Sequence, residues 1–379
     1  MYKGNAIIIH GGGLVDPSKF ILMRLALNLV KVYKEVFIGK YSFESLYKPE
    51  FWLKYDQNLV NLVKNKTGCF FGTCRDIDLT DPILCKRAIQ CLEERNITTI
   101  IVAGGDGSSR QVAEISDMFM ANGINIIFAV PLTIDGINGG IGIGINEAAK
   151  ESICQIEKIV STSLETRDNE KFGVVVVELQ GRNRDDIMAK VLRYFDIEGK
   201  VADCPLSDLT LRVIPANITA DEEKLFDEIE KSSKRTLVLV SEGAKKKNPN
   251  FSVSKITERF EGKRKVRSLV VGHPSQSNGM TSDADLKGYY NWIDNLCKFI
   301  IAEEPSMSYS IANIDENLYK KPIDYYAELN PREGQVAQLS EELTNLLKAY
   351  MAGKWICENF SKKPRQILIS LSCVFLCKF

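Results

Sequence analysis

The sequence carries no excess of charge. Its 379 residues include 49 basic and 49 acidic side chains. No net field therefore draws it to nucleic acid or to an anionic membrane, and any anionic ligand must be held by local groups. Histidine is scarce, with two residues, and none of the ten cysteines forms a Cys-x-x-Cys pair. That argues against a zinc site and favours unpaired, buried thiols in a reducing compartment. Long apolar runs are missing as well. The nearest approach, Ile367 to Cys377, is too short to span a bilayer and reads as a buried strand or an atypical terminus. Met1-Tyr2-Lys3-Gly4-Asn5 leads straight into a short apolar strand without the apolar core of a signal peptide, so a cytoplasmic location is expected. No low-complexity tract and no repeat with a period of about 20 to 50 residues is present. What remains is an ordinary composition, 45% hydrophobic and 26% charged, in a chain long enough for two domains.

The chain is organised around Ile100 to Arg110. A β-branched run ends in Gly104-Gly105-Asp106-Gly107-Ser108, after which Val112, Ile115 and Phe119 recur at helical spacing. This strand, glycine turn and helix make an anion cradle: glycines let a polyphosphate approach the backbone, and the opening N–H groups of the helix face it. Asp106 stands where a divalent metal on that polyphosphate needs an oxygen ligand. The motif Gly-Gly-Asp-Gly also marks NAD kinases and diacylglycerol kinases, and such a turn is sometimes only a tight connection. A second stretch, Pro131-Leu132-Thr133-Ile134-Asp135-Gly136, decides more.

Other elements follow from periodicity and punctuation. Asn5 to Ile9 is a strand running into His10-Gly11-Gly12-Gly13, and Asp16-Pro17 supplies an N-cap and first-turn proline for a helix from Ser18 to Tyr33. Val36 to Gly39 is a strand, Gly68 to Arg75 a glycine-bearing loop, and Asp81-Pro82 opens a further helix. Asn146 to Thr162 reads as a helix and Phe172 to Leu179 as a strand ending in Gln180-Gly181-Arg182. Asp185 to Phe195 is helical, Leu211 to Ile214 a strand, and Thr219 with Glu222 a capping box for a helix reaching Lys231. Thr236 to Val240 ends in Ser241-Glu242-Gly243-Ala244, with Lys245 to Lys247 as a solvated loop. Val266 to Val271 leads to Gly272-His273, and Asp283 to Ile301 is a long helix. A hairpin over 307–323 and a helix from Ser340 to Ala352 close the pattern. Strands alternating with helices in this way give parallel βαβ units. Five glycines between Gly136 and Gly144 suit a hinge.

Phosphoryl transfer needs a cradle for the donor, a metal, a base for the accepting hydroxyl, and positive charge on the group in flight. Gly11 to Gly13 and Gly105 to Ser108 are candidates for the cradle, Asp106 for Mg²⁺ and Asp135 for the base. Arg75 and Arg182 can neutralise the phosphoryl group, since a guanidinium binds phosphate oxygens bidentately. Glu242 can accept hydrogen bonds from substrate hydroxyls. Each has a plainer reading. Asp135 can cap a turn, the two arginines can be surface ion pairs, Glu242 can be a solvated loop residue, and His10 and His273 can be satisfied core or loop histidines. The functional reading gains because all these residues fall at the carboxyl ends of expected strands, where open parallel sheets bind ligands.

Gly104-Gly105-Asp106-Gly107-Ser108, Pro131-Leu132-Thr133-Ile134-Asp135, Glu178-Leu179-Gln180-Gly181-Arg182, Ser241-Glu242-Gly243-Ala244 and Gly272-His273 together resemble 6-phosphofructokinase in order and spacing. The resemblance spans about residues 4 to 325. It implies an α/β fold of two doubly wound, mostly parallel, Rossmann-like domains. Residues 1–145 with about 284–326 would hold the donor and 146–283 the sugar phosphate, meeting near Asp135, with 327–379 as an extension of unassigned role. Asp135 is then the base for the 1-hydroxyl of fructose 6-phosphate, beside Thr133, Asp106 serves Mg²⁺, and Arg182 contacts the transferred phosphoryl. Gly11, Arg75, Asp76, Gly105, Asp106, Gly107 and Ser108 are implied contacts of ATP. Thr133, Asp135, Gln180, Gly181, Arg182 and Glu242 are implied contacts of the sugar. A cytoplasmic homotetramer acting in glycolysis, with no nucleic-acid or membrane partner, completes the implication.

The departures are specific. The family continues Thr-Ile-Asp with Asn-Asp, where this chain has Gly136-Ile137. After Gly-His it has an arginine for the 6-phosphate, replaced here by Pro274-Ser275-Gln276-Ser277-Asn278, and a later arginine is replaced near Asp283 to Asp285. Losing two such contacts costs roughly 1.5–3 kcal/mol each. An arginine lent by a neighbouring subunit has only Arg167 or Lys171 as counterparts, and His10 and Gly13 stand for a small hydroxyl residue and an aspartate. Pyrophosphate-dependent members carry Gly-Gly-Asp-Asp and a lysine before Thr-Ile-Asp, where this chain has Gly107 and Leu132, so ATP is the expected donor. The competing readings are a pyrophosphate-dependent enzyme, a non-catalytic nucleotide-binding subunit of the same family, and an NAD-kinase-like enzyme.

Overall fold

Runs of β-branched residues too apolar for one wet face become strands buried on both sides. The computed structural model describes residues 3–12, 15–64, 66, 68–74, 76–135, 143–164, 173–182, 184–217, 220–273, 281–303, 307–314, 317–325 and 341–351. These fall into two compact units, one within 3–144 and 281–325, the other within 145–273 and 341–351.

The first unit begins with β1 (Asn5–Gly11), α1 (Ser18–Leu29), β2 (Val36–Gly39), β3 (Trp52–Lys54) and α2 (Gln57–Lys64). It continues through α3 (Pro82–Glu94), β4 (Ile97–Gly104), α4 (Asp106–Met120) and β5 (Asn125–Pro131). The second unit holds α5 (Ile145–Leu164), β6 (Val174–Leu179), α6 (Asp185–Glu198), β7 (Lys200–Val201), β8 (Cys204–Pro205) and β9 (Leu209–Ile214). After these come α7 (Glu222–Lys231), β10 (Arg235–Ser241), α8 (Ala244–Lys247), α9 (Val253–Phe260) and β11 (Val266–Val270). The chain returns to the first unit for α10 (Asp283–Ala302), β12 (Tyr309–Ile314) and β13 (Asn317–Lys321), and α11 (Glu341–Met351) belongs to the second.

The sheet of the first unit has the order β13-β12-β5-β4-β1-β2-β3. Its inner pairs are parallel, and only β2 with β3 and β12 with β13 run antiparallel. From β1 the chain winds to β2 on one side and later to β4 on the other, so β1 and β4 flank the switch point where an open sheet leaves a crevice at its carboxyl ends. Strand alternation sends Ala6 and Ile8 into a core with Leu22 and Leu25 of α1 and Ile293 and Leu296 of α10. Ile7 and Ile9 enter a second core with Ala88 and Leu92 of α3 and Val112, Ile115 and Phe119 of α4. The second unit has a four-stranded, fully parallel sheet, β11-β6-β10-β9. Val175 and Val177 face α5, α6 and α11, while Val174 and Val176 face α7 and α9. Leu347 and Tyr350 of α11 lie in that first core, and the Tyr350 hydroxyl donates to Asp196 Oδ1 at 3.0 Å.

Several local expectations change. Asp16 does not cap α1, whose N-cap is Pro17 without a side-chain bond. Its carboxylate is engaged by Lys19 Nζ at 2.7 Å and by the Thr281 hydroxyl at 2.7 Å. The helix stops at Leu29 instead of Tyr33, because the Tyr33 ring turns into the core and its hydroxyl donates to Thr99 Oγ1 at 3.2 Å. At α7 the cap is Asp221, which accepts from Lys224 N; Thr219 lies outside the described residues. Lys245 to Lys247 form the short helix α8, and Lys245 Nζ reaches Glu178 Oε1 at 3.0 Å, so that segment is no plain solvated loop. The short elements β3, α2, α8 and α9 were not expected; α2, for example, buries only Leu59 and Val63. The hinge glycines 136–142, the segment 165–172 with Arg167 and Lys171, the loop 274–280 and the run 367–377 lie outside the described residues. All seven described cysteines are free, three of them buried. No described helix is long and apolar enough to cross a membrane.

Candidate active site

In the first unit the site is built from two glycines that must stay glycines. Gly11 ends β1 and Gly104 ends β4 beside it. Any Cβ on Gly11 would collide with the Ser108 hydroxyl, and one on Gly104 would lie 2.7 Å from Ser108 Cβ and 3.2 Å from Gly11 Cα. Ser108, on the first turn of α4, plugs this gap, and its hydroxyl donates to the Gly11 carbonyl. That spends its side chain, so what Ser108 offers a phosphate is its backbone N–H at the helix start. Gly107 is exposed, with nothing within 4 Å of where a Cβ would stand. Asp106 opens α4, and its Oδ1 is buried and accepts no hydrogen bond among the described residues.

Leu132 continues β5 alongside this turn, its N–H donating to the Gly104 carbonyl at 2.9 Å. A Cβ on Gly105 would touch the Thr133 side chain at 3.5 Å. Thr133 Oγ1 accepts from the Asp135 N–H at 3.3 Å, and Asp135 is exposed. The unit therefore brings Gly11, Gly104 to Ser108 and Thr133 to Asp135 to one place. Beneath Gly11, His10 is fully buried and its Nδ1 stands 3.4 Å from Cys69 Sγ. Burial pushes the Cys69 thiol up from its ordinary range, which makes it a packing partner and not a nucleophile. Asp76 is exposed and Arg75 lies outside the described residues.

The second unit gathers the other set. Gly181 follows β6 with φ of 103°, a conformation that glycine adopts without strain. Its N–H donates to Glu242 Oε2 at 2.9 Å, and the Glu242 N–H donates to the Leu179 carbonyl at 3.0 Å. Gly243 packs so closely that a Cβ there would strike the Arg182 carbonyl and stand 3.0 Å from Ala216 Cβ. Gln180 is buried and Arg182 exposed. Sequence reasoning missed Asp185, the first residue of α6, which is fully buried between the loop that follows β9 and the end of β10. An aspartate at a helix start is its only local signal, and any first-turn acid gives the same one.

Two glycine turns thus follow strands of one mostly parallel sheet, and Gly-Arg and Ser-Glu-Gly turns follow strands of another. The profile of the family described as phosphofructokinase matches residues 5–286. This chain belongs to the phosphofructokinase family. Among similar proteins, ATP-dependent 6-phosphofructokinase 2 of Clostridium perfringens is 24% identical over 313 residues, covering 73% of this chain and 80% of that one. A probable ATP-dependent 6-phosphofructokinase of Mycoplasma genitalium is 25% identical, covering 70% of this chain and 77% of its own. In fold, the chain is similar to the T-state phosphofructokinase of Pichia pastoris, with TM-score 0.66 and 16% identity over 93% of this chain. It spans only 39% of that larger chain. The pyrophosphate-dependent phosphofructokinase of Marinobacter aquaeolei aligns with TM-score 0.64 and 15% identity, over 93% of this chain and 92% of that one.

The residues at the start of α4 in this family member are ones that could hold Mg²⁺. Among the described residues no three of His, Cys, Asp and Glu cluster as a protein-only metal cage. Mg²⁺ in phosphate chemistry asks for less: one or two carboxylates, with phosphate oxygens and waters completing the shell. The buried, unspent Oδ1 of Asp106, beside N–H groups suited to phosphate, meets that requirement.

Proposed function

We propose that this chain transfers the terminal phosphoryl group of ATP to the 1-hydroxyl of fructose 6-phosphate, giving fructose 1,6-bisphosphate and ADP, a step of glycolysis. The observation that carries the reading is the unspent buried oxygen of Asp106 at the start of α4, next to Gly107, which has open space around it. In this reading Gly11, Gly105, Gly107 and the Ser108 N–H bind the donor, together with Arg75 and Asp76. Asp106 holds Mg²⁺, which supplies charge neutralisation on the donor phosphates. Gln180, Gly181, Arg182 and Glu242 bind the sugar phosphate, with Thr133 and Asp135 at its reacting end. Asp135 takes the proton as the 1-oxygen bonds to phosphorus and the bond to the bridging oxygen of ADP breaks, while Arg182 neutralises the phosphoryl group in flight.

ATP is favoured over pyrophosphate by the named activity of the curated relatives and by the absence of an acidic side chain at Gly107 and of a lysine at Leu132, which is fully buried in the core. A homotetramer in the cytoplasm accompanies the proposal on family grounds. The test is Asp135→Asn. Loss of a general base lowers kcat by about 10²–10⁴-fold, so fructose 1,6-bisphosphate formation should fall by that factor while ATP still binds. Unchanged kcat would remove Asp135 from the chemistry.

A further inference from the structure

The second unit carries a buried carboxylate that the reaction scheme does not use. Asp185 is fully buried at the first position of α6. Its Oδ1 accepts from the Ser241 hydroxyl at 2.6 Å and from the Ala216 N–H at 2.8 Å, and its Oδ2 accepts from the Asn217 N–H at 2.9 Å. One side chain therefore ties the start of α6 to the loop that follows β9 and to the last residue of β10. A buried carboxylate is costly unless donors satisfy it; here three donors and the N-terminal end of a helix do so. The loops that follow β6, β9 and β10 are in van der Waals contact, since Gly243 has no room for a Cβ between the Arg182 carbonyl and Ala216. Ser241 immediately precedes Glu242, whose carboxylate accepts from Gly181 N–H at 2.9 Å. Whatever fixes Ser241 thus fixes Glu242 against the turn that presents Arg182.

We propose that Asp185 is a positioning residue of the sugar-phosphate half, setting the placement of Glu242 and the Gly181-Arg182 turn without touching substrate. Its link to sugar binding rests on the function proposed above. The chemistry demands a carboxylate. An asparagine at 185 would turn an NH₂ group toward either the Asn217 N–H or the pair of donors at Oδ1, so at least one donor would lose its acceptor.

The experiment uses the full chain with Asp185→Asn and the milder Ser241→Ala, which removes one donor and leaves the acid in place. Hydrogen exchange of the segments 178–182 and 241–246 should speed up by about tenfold in both variants, with segment 100–110 of the first unit unchanged. In steady-state assays the KM for fructose 6-phosphate should rise about tenfold in Asp185→Asn and about threefold in Ser241→Ala, with the KM for ATP unmoved and kcat within about twofold. Exchange in those segments at the wild-type rate overturns the proposal, whatever the activity. So do losses spread equally over kcat and both KM values. Faster exchange in a protein whose wild type shows no turnover of fructose 6-phosphate leaves the brace standing and removes the function proposed for the site it braces. Should Asp185→Asn fail to fold, Ser241→Ala carries both readouts.

Discussion

The two units hold their site turns by opposite means. In the first, the turns after β1 and β4 meet through missing side chains: Gly11 and Gly104 approach to where no Cβ fits, and a serine hydroxyl closes the gap. Asp106, at the start of α4, keeps an oxygen unspent among the described residues. In the second, the turns after β6, β9 and β10 are tied by carboxylates: Asp185 accepts from three donors and Glu242 from the Gly181 N–H. An acid already spent on protein N–H groups sets shape, whereas an acid left unspent beside helix N–H groups is able to take a cation. The contrast separates turns that meet because side chains are missing from turns that side-chain carboxylates tie together.

The contrast can be broken at its glycines first. Gly243→Ala forces a Cβ into the Arg182 carbonyl and should cost about 3 kcal/mol of stability in denaturant unfolding. Gly107→Ala, with open space around it, should be neutral or stabilising by about 0.5–1 kcal/mol. Equal costs at the two positions would erase the distinction. Next comes the unspent acid. Asp106→Asn should raise the Mg²⁺ concentration needed for half-maximal turnover by about 10–100-fold with unchanged stability, and an unaltered Mg²⁺ titration would mean that the oxygen serves something else. Gly107→Asp puts a carboxylate into the open space beside the phosphate cradle. Its repulsion of the donor should lower kcat/KM for ATP by about tenfold while leaving the fold intact. The smallest effect belongs to the second unit. Tyr350→Phe removes the hydrogen bond to Asp196 and should lower Tm by about 2–4 °C. No change would mean that α11 rests on apolar packing alone.

How much of this was legible in the sequence follows the same divide. The strand, turn and helix around Gly105 stood out because every signal lay within about twenty residues: a β-branched run, glycines, then apolar side chains at helical spacing. The turns at Gly181 and Glu242 were legible for the same reason, as sharp breaks after apolar runs. Their cross-ties were not. Asp185 meets Ser241 across 56 residues and Ala216 across 31, and Ser108 meets Gly11 across 97; no local pattern encodes such pairings. Asp16 was misread because Asp-Pro before a helix is the usual capping signal, while its real partners are Lys19 and Thr281. Helix α11 was legible as a helix, yet its place against Val175 and Val177 depends on tertiary packing.

The central claim, phosphoryl transfer from ATP to fructose 6-phosphate, is tested most directly by assaying fructose 1,6-bisphosphate formation with Mg²⁺, once with ATP and once with pyrophosphate. The account predicts turnover with ATP and none with pyrophosphate. Folded protein that binds ATP and yet forms no product with either donor would contradict it.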